Sequence, residues 1–287
     1  MRRNADFLPQ FNGFGLDDEK FREISYRDKF LSFWLAPGDY ERLGVPVPDF
    51  KAPVVGLLFG REKGYYCSDF SYVQAMAKAG MKIAFIDYEN CRTQLTDCDA
   101  LVLPGGAFDS PEKFYVDGKT ERLSYPTQRS QAYVECVWDA LKYKMPILGI
   151  CAGAQMIAGA VGMKLYRSKA YYESPIEHKT KAENAHRVWF VKDTPFAALM
   201  GNPQFMFVNS RHSEFLAPEL VQREELRICD GGKLPLDIYA TATDGIPEAW
   251  GDMNNGILCV QWHPEDMADT GYLPYHWLAE YVNTHCM

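Results

Sequence analysis

The 287-residue sequence predicts an α/β fold: a three-layer sandwich with a mostly parallel central sheet and helices on both faces. Three observations carry that expectation. Short continuous apolar runs, of which Val54-Val55-Gly56-Leu57-Leu58-Phe59 is the first, suit strands buried on both faces. Helix-like stretches alternate with those runs through the first half of the chain. A composition of 47% hydrophobic and 24% charged residues supplies enough apolar material for one large core.

In chain order, residues 1–51 are rich in aromatics, charges, Pro and Gly, and are expected to form an arm of irregular structure or short helices packed on the main domain. Residues 52–287 form that domain. A strand over 54–59 precedes a helix over 72–79, strands over 82–87 and 100–103, and a turn at Pro104-Gly105-Gly106. A long polar loop then leads to a helix over 128–143 and a strand over 146–150. Ligands belong at the carboxyl ends of such strands. The second half reads as shorter strands over 187–191, 205–208, 237–243 and 256–261, closed by an amphipathic helix over 274–283.

A formal charge of −8 without Lys/Arg clusters argues against nucleic acid or an anionic membrane as partner and favours a small molecule. No apolar run reaches membrane-spanning length, and no apolar leader follows Arg2-Arg3. Eight cysteines without a CxxC pair, in a chain too large to need disulfide staples, point to a reduced, cytoplasmic protein.

The most informative stretch is Gly149-Ile150-Cys151-Ala152-Gly153, where an apolar strand runs into small residues that open a helix. A nucleophile at such a turn sits in a strained bend in which bulky neighbours clash. The helix N-terminus favours the thiolate. The backbone N–H of Ala152 is placed to receive an oxyanion, and a second donor is expected from the Gly105-Gly106 turn, with Gly106 the first choice. A lone cysteine more often fills a core, so the elbow needs partners. These stand at the other end of the chain: in Trp262-His263-Pro264-Glu265-Asp266, His263 follows a strand and can act as base. Glu265, two residues on, projects to the same side if the segment is extended, and orients it. Asp266 is the local alternative, offset away from His263.

Taken with Leu103-Pro104-Gly105-Gly106, Val208-Asn209-Ser210-Arg211-His212 and Thr243-Asp244-Gly245-Ile246-Pro247-Glu248-Ala249, these segments resemble the ordered signatures of the class I glutamine amidotransferases. They are most similar to the peptidase C26 branch, the gamma-glutamyl-gamma-aminobutyrate hydrolases. The resemblance covers roughly residues 54–265. It implies a Cys-His-Glu triad of Cys151, His263 and Glu265 attacking a gamma-glutamyl carbonyl. It also implies that Gln155 helps hold the glutamyl head group, that Asn209, Ser210 and Arg211 form the facing wall, and that His212 buttresses that wall. The sequence departs from the branch in three places: Ala152 stands where Arg usually follows the nucleophile, an Arg-Asp pair is reduced to Arg129-Ser130, and the Asp-Gly-x-Glu-Ala motif is stretched at residues 244–249.

The expected reaction is hydrolysis of a gamma-glutamyl amide through a thioester, needing no metal or redox cofactor. One rival is a glutaminase subunit that delivers ammonia to a separate synthetase, since the chain carries no Gly-x-x-x-x-Gly-Lys-Ser/Thr loop of its own. The other is a catalytically silent binding or regulatory protein on the same fold. The arm over 1–51 is read as core cover, a contact in a homodimer, or a lid.

Overall fold

The computed structural model describes residues 24–25, 33–62, 65–67, 70–106, 110–120, 122–167, 174–218, 226–227, 233–234, 236–268 and 270–285. Much of the expected arm, residues 1–23 and 26–32, therefore lies outside the described residues. No helix among the described residues is long and apolar enough to cross a membrane.

A 12-stranded mixed sheet organises the chain. Its elements are β1 (Phe33–Trp34), α1 (Pro37–Leu43), β2 (Val54–Glu62), α2 (Phe70–Lys78), β3 (Lys82–Asp87), α3 (Cys91–Leu95), β4 (Ala100–Leu103), α4 (Gln128–Lys142), β5 (Ile147–Ile150), α5 (Ala152–Ala160), β6 (His186–Phe190), β7 (Phe205–Val208), β8 (Asp237–Ala242), β9 (Pro247–Asp252), β10 (Ile257–Val260) and α6 (Leu273–His285). The strand order is β1-β3-β2-β4-β5-β10-β9-β8-β6-β7. The run from β3 to β10 is parallel, and both flanks are antiparallel. Two short strands, Ile24–Ser25 and Tyr65–Cys67, extend the sheet beside the end of β2.

The pleat divides the parallel strands between two cores, because successive side chains point to opposite faces. Val55, Leu57, Ala100, Val102, Leu148, Ile150, Leu258 and Val260 pack on one face with α2 and α6. Leu58, Leu101, Leu103, Ile147, Ile257 and Cys259 pack on the other with α3, α4 and α5. Within the expected arm, Leu35, Tyr40, Leu43 and Val45 are buried in the first core, and the Tyr40 hydroxyl accepts the Ile83 N–H at 2.8 Å.

Register places β5 and β10 side by side, pairing Val260 with Ile150, and the ladder continues one step as the Cys151 N–H donates to Val260 O at 2.8 Å. Cys151 and the segment after β10 thus leave the sheet together. Most expected elements match within a residue or two; β2 runs three residues beyond its expected end. The sequence reading had no strand over 247–252, where β9 lies wholly buried between β8 and β10, and no helix over 91–95.

Candidate active site

Cys151 joins β5 to α5 with φ 50° and ψ −111°, a conformation that a side-chain-bearing residue adopts at a cost of roughly 1–3 kcal/mol. The helix it opens lies tight on β4: a Cβ on Gly153 would overlap the Leu103 carbonyl, so only glycine lets α5 start here. The first N–H groups of a helix have no intrahelical acceptor, and that of Ala152 is one of these.

Opposite Cys151 stands His263. The residues from Pro264 to Asp266 form a 3₁₀ turn rather than the extended segment expected from sequence. That tighter backbone still brings Glu265 Oε1 to 2.7 Å from His263 Nδ1. The imidazole lies beside Cys151: one point, a Cβ built on Gly105, is 2.8 Å from His263 Cε1 and 3.0 Å from Cys151 Cβ. Burial alone would depress the His263 pKa, but the Glu265 charge, the neighbouring Cys151 and the bond with Glu265 outweigh it and hold the pKa well above the usual histidine value. Asp266 faces elsewhere and pairs with Arg211 at 2.6 Å. Cys151, His263 and Glu265 therefore lie together where β5 and β10 end.

The Gly105-Gly106 turn closes over this pair. A Cβ built on Gly105 would lie 2.8 Å from His263 Cε1, 3.0 Å from Cys151 Cβ and 3.1 Å from Tyr72 Oη, so the turn, the thiol and the imidazole meet at one point. The Gly105 N–H donates to Tyr72 Oη at 2.9 Å. The Gly105 N–H is thereby engaged within the protein.

Three side chains not singled out for the site hold it in shape. The Tyr72 hydroxyl, besides accepting from Gly105, feels the Glu265 charge, and Tyr275 Oη donates to Glu265 Oε2 at 3.4 Å. Burial and the Glu265 charge keep both phenols protonated, well above the ordinary tyrosine pKa. Arg129, noted in the sequence only as half of an altered pair, donates to Gly105 O at 2.9 Å and to Tyr133 Oη at 3.0 Å; Tyr133 in turn donates to Pro104 O at 2.9 Å. No local motif marks Tyr72 or Tyr275, which read as core residues of amphipathic helices.

Two of the expected wall residues, Asn209 and Ser210, turn inward, while Arg211 is exposed. Asn209 Oδ1 accepts the His263 N–H at 2.8 Å and Asn209 Nδ2 donates to His263 O at 2.7 Å, a two-point clamp on the backbone of the candidate base. Ser210 Oγ donates to His178 O at 2.6 Å. Gln155 lies on α5 above Cys151, as its spacing implied; its amide donates to Glu214 O at 2.6 Å and Gln261 Oε1 at 3.2 Å.

The peptidase C26 family model matches residues 59–265, a span that holds the turn, the elbow and the His263-Pro264-Glu265 segment. The chain belongs to the peptidase C26 family. Among curated C26-like relatives, glutamine amidotransferase-like protein YvdE of Lactococcus lactis is 29% identical over 62% of this chain and 70% of its own length. Gamma-glutamyl-gamma-aminobutyrate hydrolase PuuD of Escherichia coli is 25% identical over 74% of this chain and 85% of its own. The glutaminase domain of Trypanosoma brucei CTPS, solved with bound acivicin, superposes with a TM-score of 0.52 at 16% identity, covering 81% of this chain and 94% of that one. The fold is that of the class I glutamine amidotransferases, and C26 membership carries the general activity of the family, glutamine-amidotransferase-type hydrolysis.

Proposed function

We propose that the protein hydrolyses a gamma-glutamyl amide bond through a gamma-glutamyl thioester on Cys151, with His263 as general acid and base and Glu265 as its orienting group. The observation that supports this reading is the placement of a strained, helix-opening Cys151 beside His263, which in turn bonds Glu265. The Cys151 thiolate attacks the gamma-carbonyl carbon, and the oxyanion so formed is received by the N–H groups of Ala152 and Gly106. Collapse expels the amine, which takes its proton from the His263 imidazolium. In the second step His263, now neutral, accepts a proton from water as that water attacks the thioester. Glutamate leaves, and the thiolate–imidazolium pair is restored.

Glu265 keeps the Nδ1 proton in place and stabilises the imidazolium. Gln155 and the 209–211 segment are assigned to the glutamyl head group, with Ala152, in place of the usual Arg, altering the pocket beside the nucleophile. Residues 1–51 are assigned as an arm on the 52–287 catalytic domain. Burial of Leu35, Tyr40, Leu43 and Val45 favours core cover for its described part.

The test is turnover of a panel of gamma-glutamyl amides by the purified chain, with release of amine as readout. Release by wild type, lost in Cys151→Ala, is the expected result. Glutamine hydrolysis that starts only when a synthetase is added would move the assignment to an ammonia-delivering subunit. Neither turnover nor labelling by a glutamine-mimicking electrophile would mean a silent binding protein.

A further inference from the structure

A second group of titratable side chains lies outside this site. His178, His186 and His212 surround the carboxylate of Glu248, and all four are buried. They come from four places in the chain: the segment before β6, the first residue of β6, the segment after β7, and β9. Their inward atoms converge on a single oxygen. His178 Nδ1 and His186 Nε2 are each 3.3 Å from Glu248 Oε1, and His212 Nε2 is 3.4 Å away. None of these four atoms has a hydrogen-bond partner among the described residues.

The outward nitrogens of His178 and His212 are engaged; that of His186, Nδ1, is buried without a hydrogen-bond partner among the described residues. His178 Nε2 is 2.8 Å from Asp244 Oδ2, and Asp244 is itself held by Ser174 Oγ and by the Ile246 N–H at 3.2 Å. His212 Nδ1 is 3.0 Å from Glu214 O. A carboxylate and a carbonyl accept, so the His178 and His212 rings present their N–H outward, and in the neutral form turn a lone pair toward Glu248. Lone pairs facing a buried carboxylate repel it unless a proton or a metal cation sits between them.

The spacing decides which cation. Charge-assisted N–H···O bonds run about 2.7–2.9 Å, shorter than all three contacts. A tetrahedral ion bound at about 2.0–2.1 Å to each ligand separates neighbouring ligand atoms by about 3.3 Å. We propose that His178 Nδ1, His186 Nε2, His212 Nε2 and Glu248 Oε1 form a closed tetrahedral site for one divalent zinc ion. Imidazole and carboxylate suit zinc, and four protein ligands leave no position for substrate, as in structural zinc sites. Asp244 and the Glu214 carbonyl orient the His178 and His212 rings from outside.

The ion braces the active site without joining its chemistry. His212 stands three residues after Asn209, the clamp on His263, and its N–H donates to His178 O at 3.1 Å. Glu248 O accepts the Gln261 N–H at 2.8 Å, two residues before His263. Zinc thereby ties the antiparallel flank of the sheet to both sides of the candidate base.

Metal content reads this without substrate, and so separately from the reaction at Cys151. Untagged Cys151→Ala chain, produced with zinc and desalted into metal-free buffer, is expected to hold about one zinc per chain by mass spectrometry of the metal. After chelation, added Co²⁺ is expected to give the intense visible absorption of a tetrahedral ion, without a thiolate charge-transfer band. His186→Ala in that background is expected to lose at least about ten-fold in zinc occupancy. Zinc retained by His186→Ala would place the ion elsewhere and overturn the proposal. So would a Co²⁺ spectrum of octahedral or thiolate-ligated type, whether or not the variant folds.

Discussion

Gly105→Ala adds one methyl group at the point where the thiol, the imidazole and the Tyr72 hydroxyl meet, and removes no functional atom. Non-bonded carbons rest about 3.5–4.0 Å apart. The new Cβ would stand 2.8 Å from His263 Cε1 and 3.0 Å from Cys151 Cβ. One or both must therefore retreat by about 0.5–1 Å. A misplacement of about 1 Å between reacting groups costs on the order of 10²-fold in rate. Overpacking costs about 1–3 kcal/mol in stability. The assay pairs kcat on a gamma-glutamyl amide with the rate of Cys151 alkylation by iodoacetamide, on protein shown by melting to be folded at the assay temperature. Gly38→Ala, where an added Cβ meets nothing within 4 Å, serves as control and is expected to leave both rates unchanged. If folded Gly105→Ala kept kcat within about three-fold of wild type, reaction at the junction of these three residues would be refuted.

Glu265→Gln removes the charge that, against burial, holds the His263 pKa up. A drop of about 10³–10⁴-fold in kcat is expected by the logic of orienting carboxylates. Because the folded His263 pKa is raised, its contribution to stability is full below the unfolded value of about 6.5 and is lost as pH rises through the folded one. In Glu265→Gln that alkaline decline in Tm should begin at lower pH, and an unchanged profile would count against the pairing. Arg129→Met frees the Gly105 carbonyl and is expected to lower kcat by about 10²–10³-fold with little change in KM, through a displaced Gly106 N–H. A rise in KM alone would instead make Arg129 a binding residue. Gly153→Ala drives a methyl into the Leu103 carbonyl and should cost at least about 1–3 kcal/mol by denaturant titration. Asn209→Ala, which leaves the buried His263 N–H without a partner and takes one of two donors from the His263 carbonyl, should cost about 1–3 kcal/mol and weaken kcat.

What could be read from the sequence follows from how each signal is stored. The parallel strands are continuous apolar runs and stand out, and the elbow stands out because Gly149, Cys151 and Gly153 sit within five residues. Strand β9 does not: Pro247, Glu248, Gly251 and Asp252 hide a strand whose every residue is buried, and its carboxylate is accommodated by histidines from distant segments. Helix α3 is five residues long, too short to show a period. Glu265 was legible as the partner of His263 but not through its geometry, since a 3₁₀ turn makes the contact that extension was expected to make. Tyr72 and Tyr275 were hidden because an apolar ring at helical spacing looks the same whether or not its hydroxyl reaches a carboxylate. Asn209 and Ser210 were assigned to a wall, yet their side chains meet backbone groups that only the folded chain brings near.

The central claim is that Cys151 carries the acyl group. Wild-type protein mixed with gamma-glutamyl p-nitroanilide and quenched in acid at intervals should show, by intact and peptide mass spectrometry, a gain of one gamma-glutamyl unit on the peptide bearing Cys151. That gain should precede steady-state release of glutamate and be absent in Cys151→Ala. Turnover of the anilide by Cys151→Ala at the wild-type rate, or a gamma-glutamyl unit appearing on a different residue, would contradict the account.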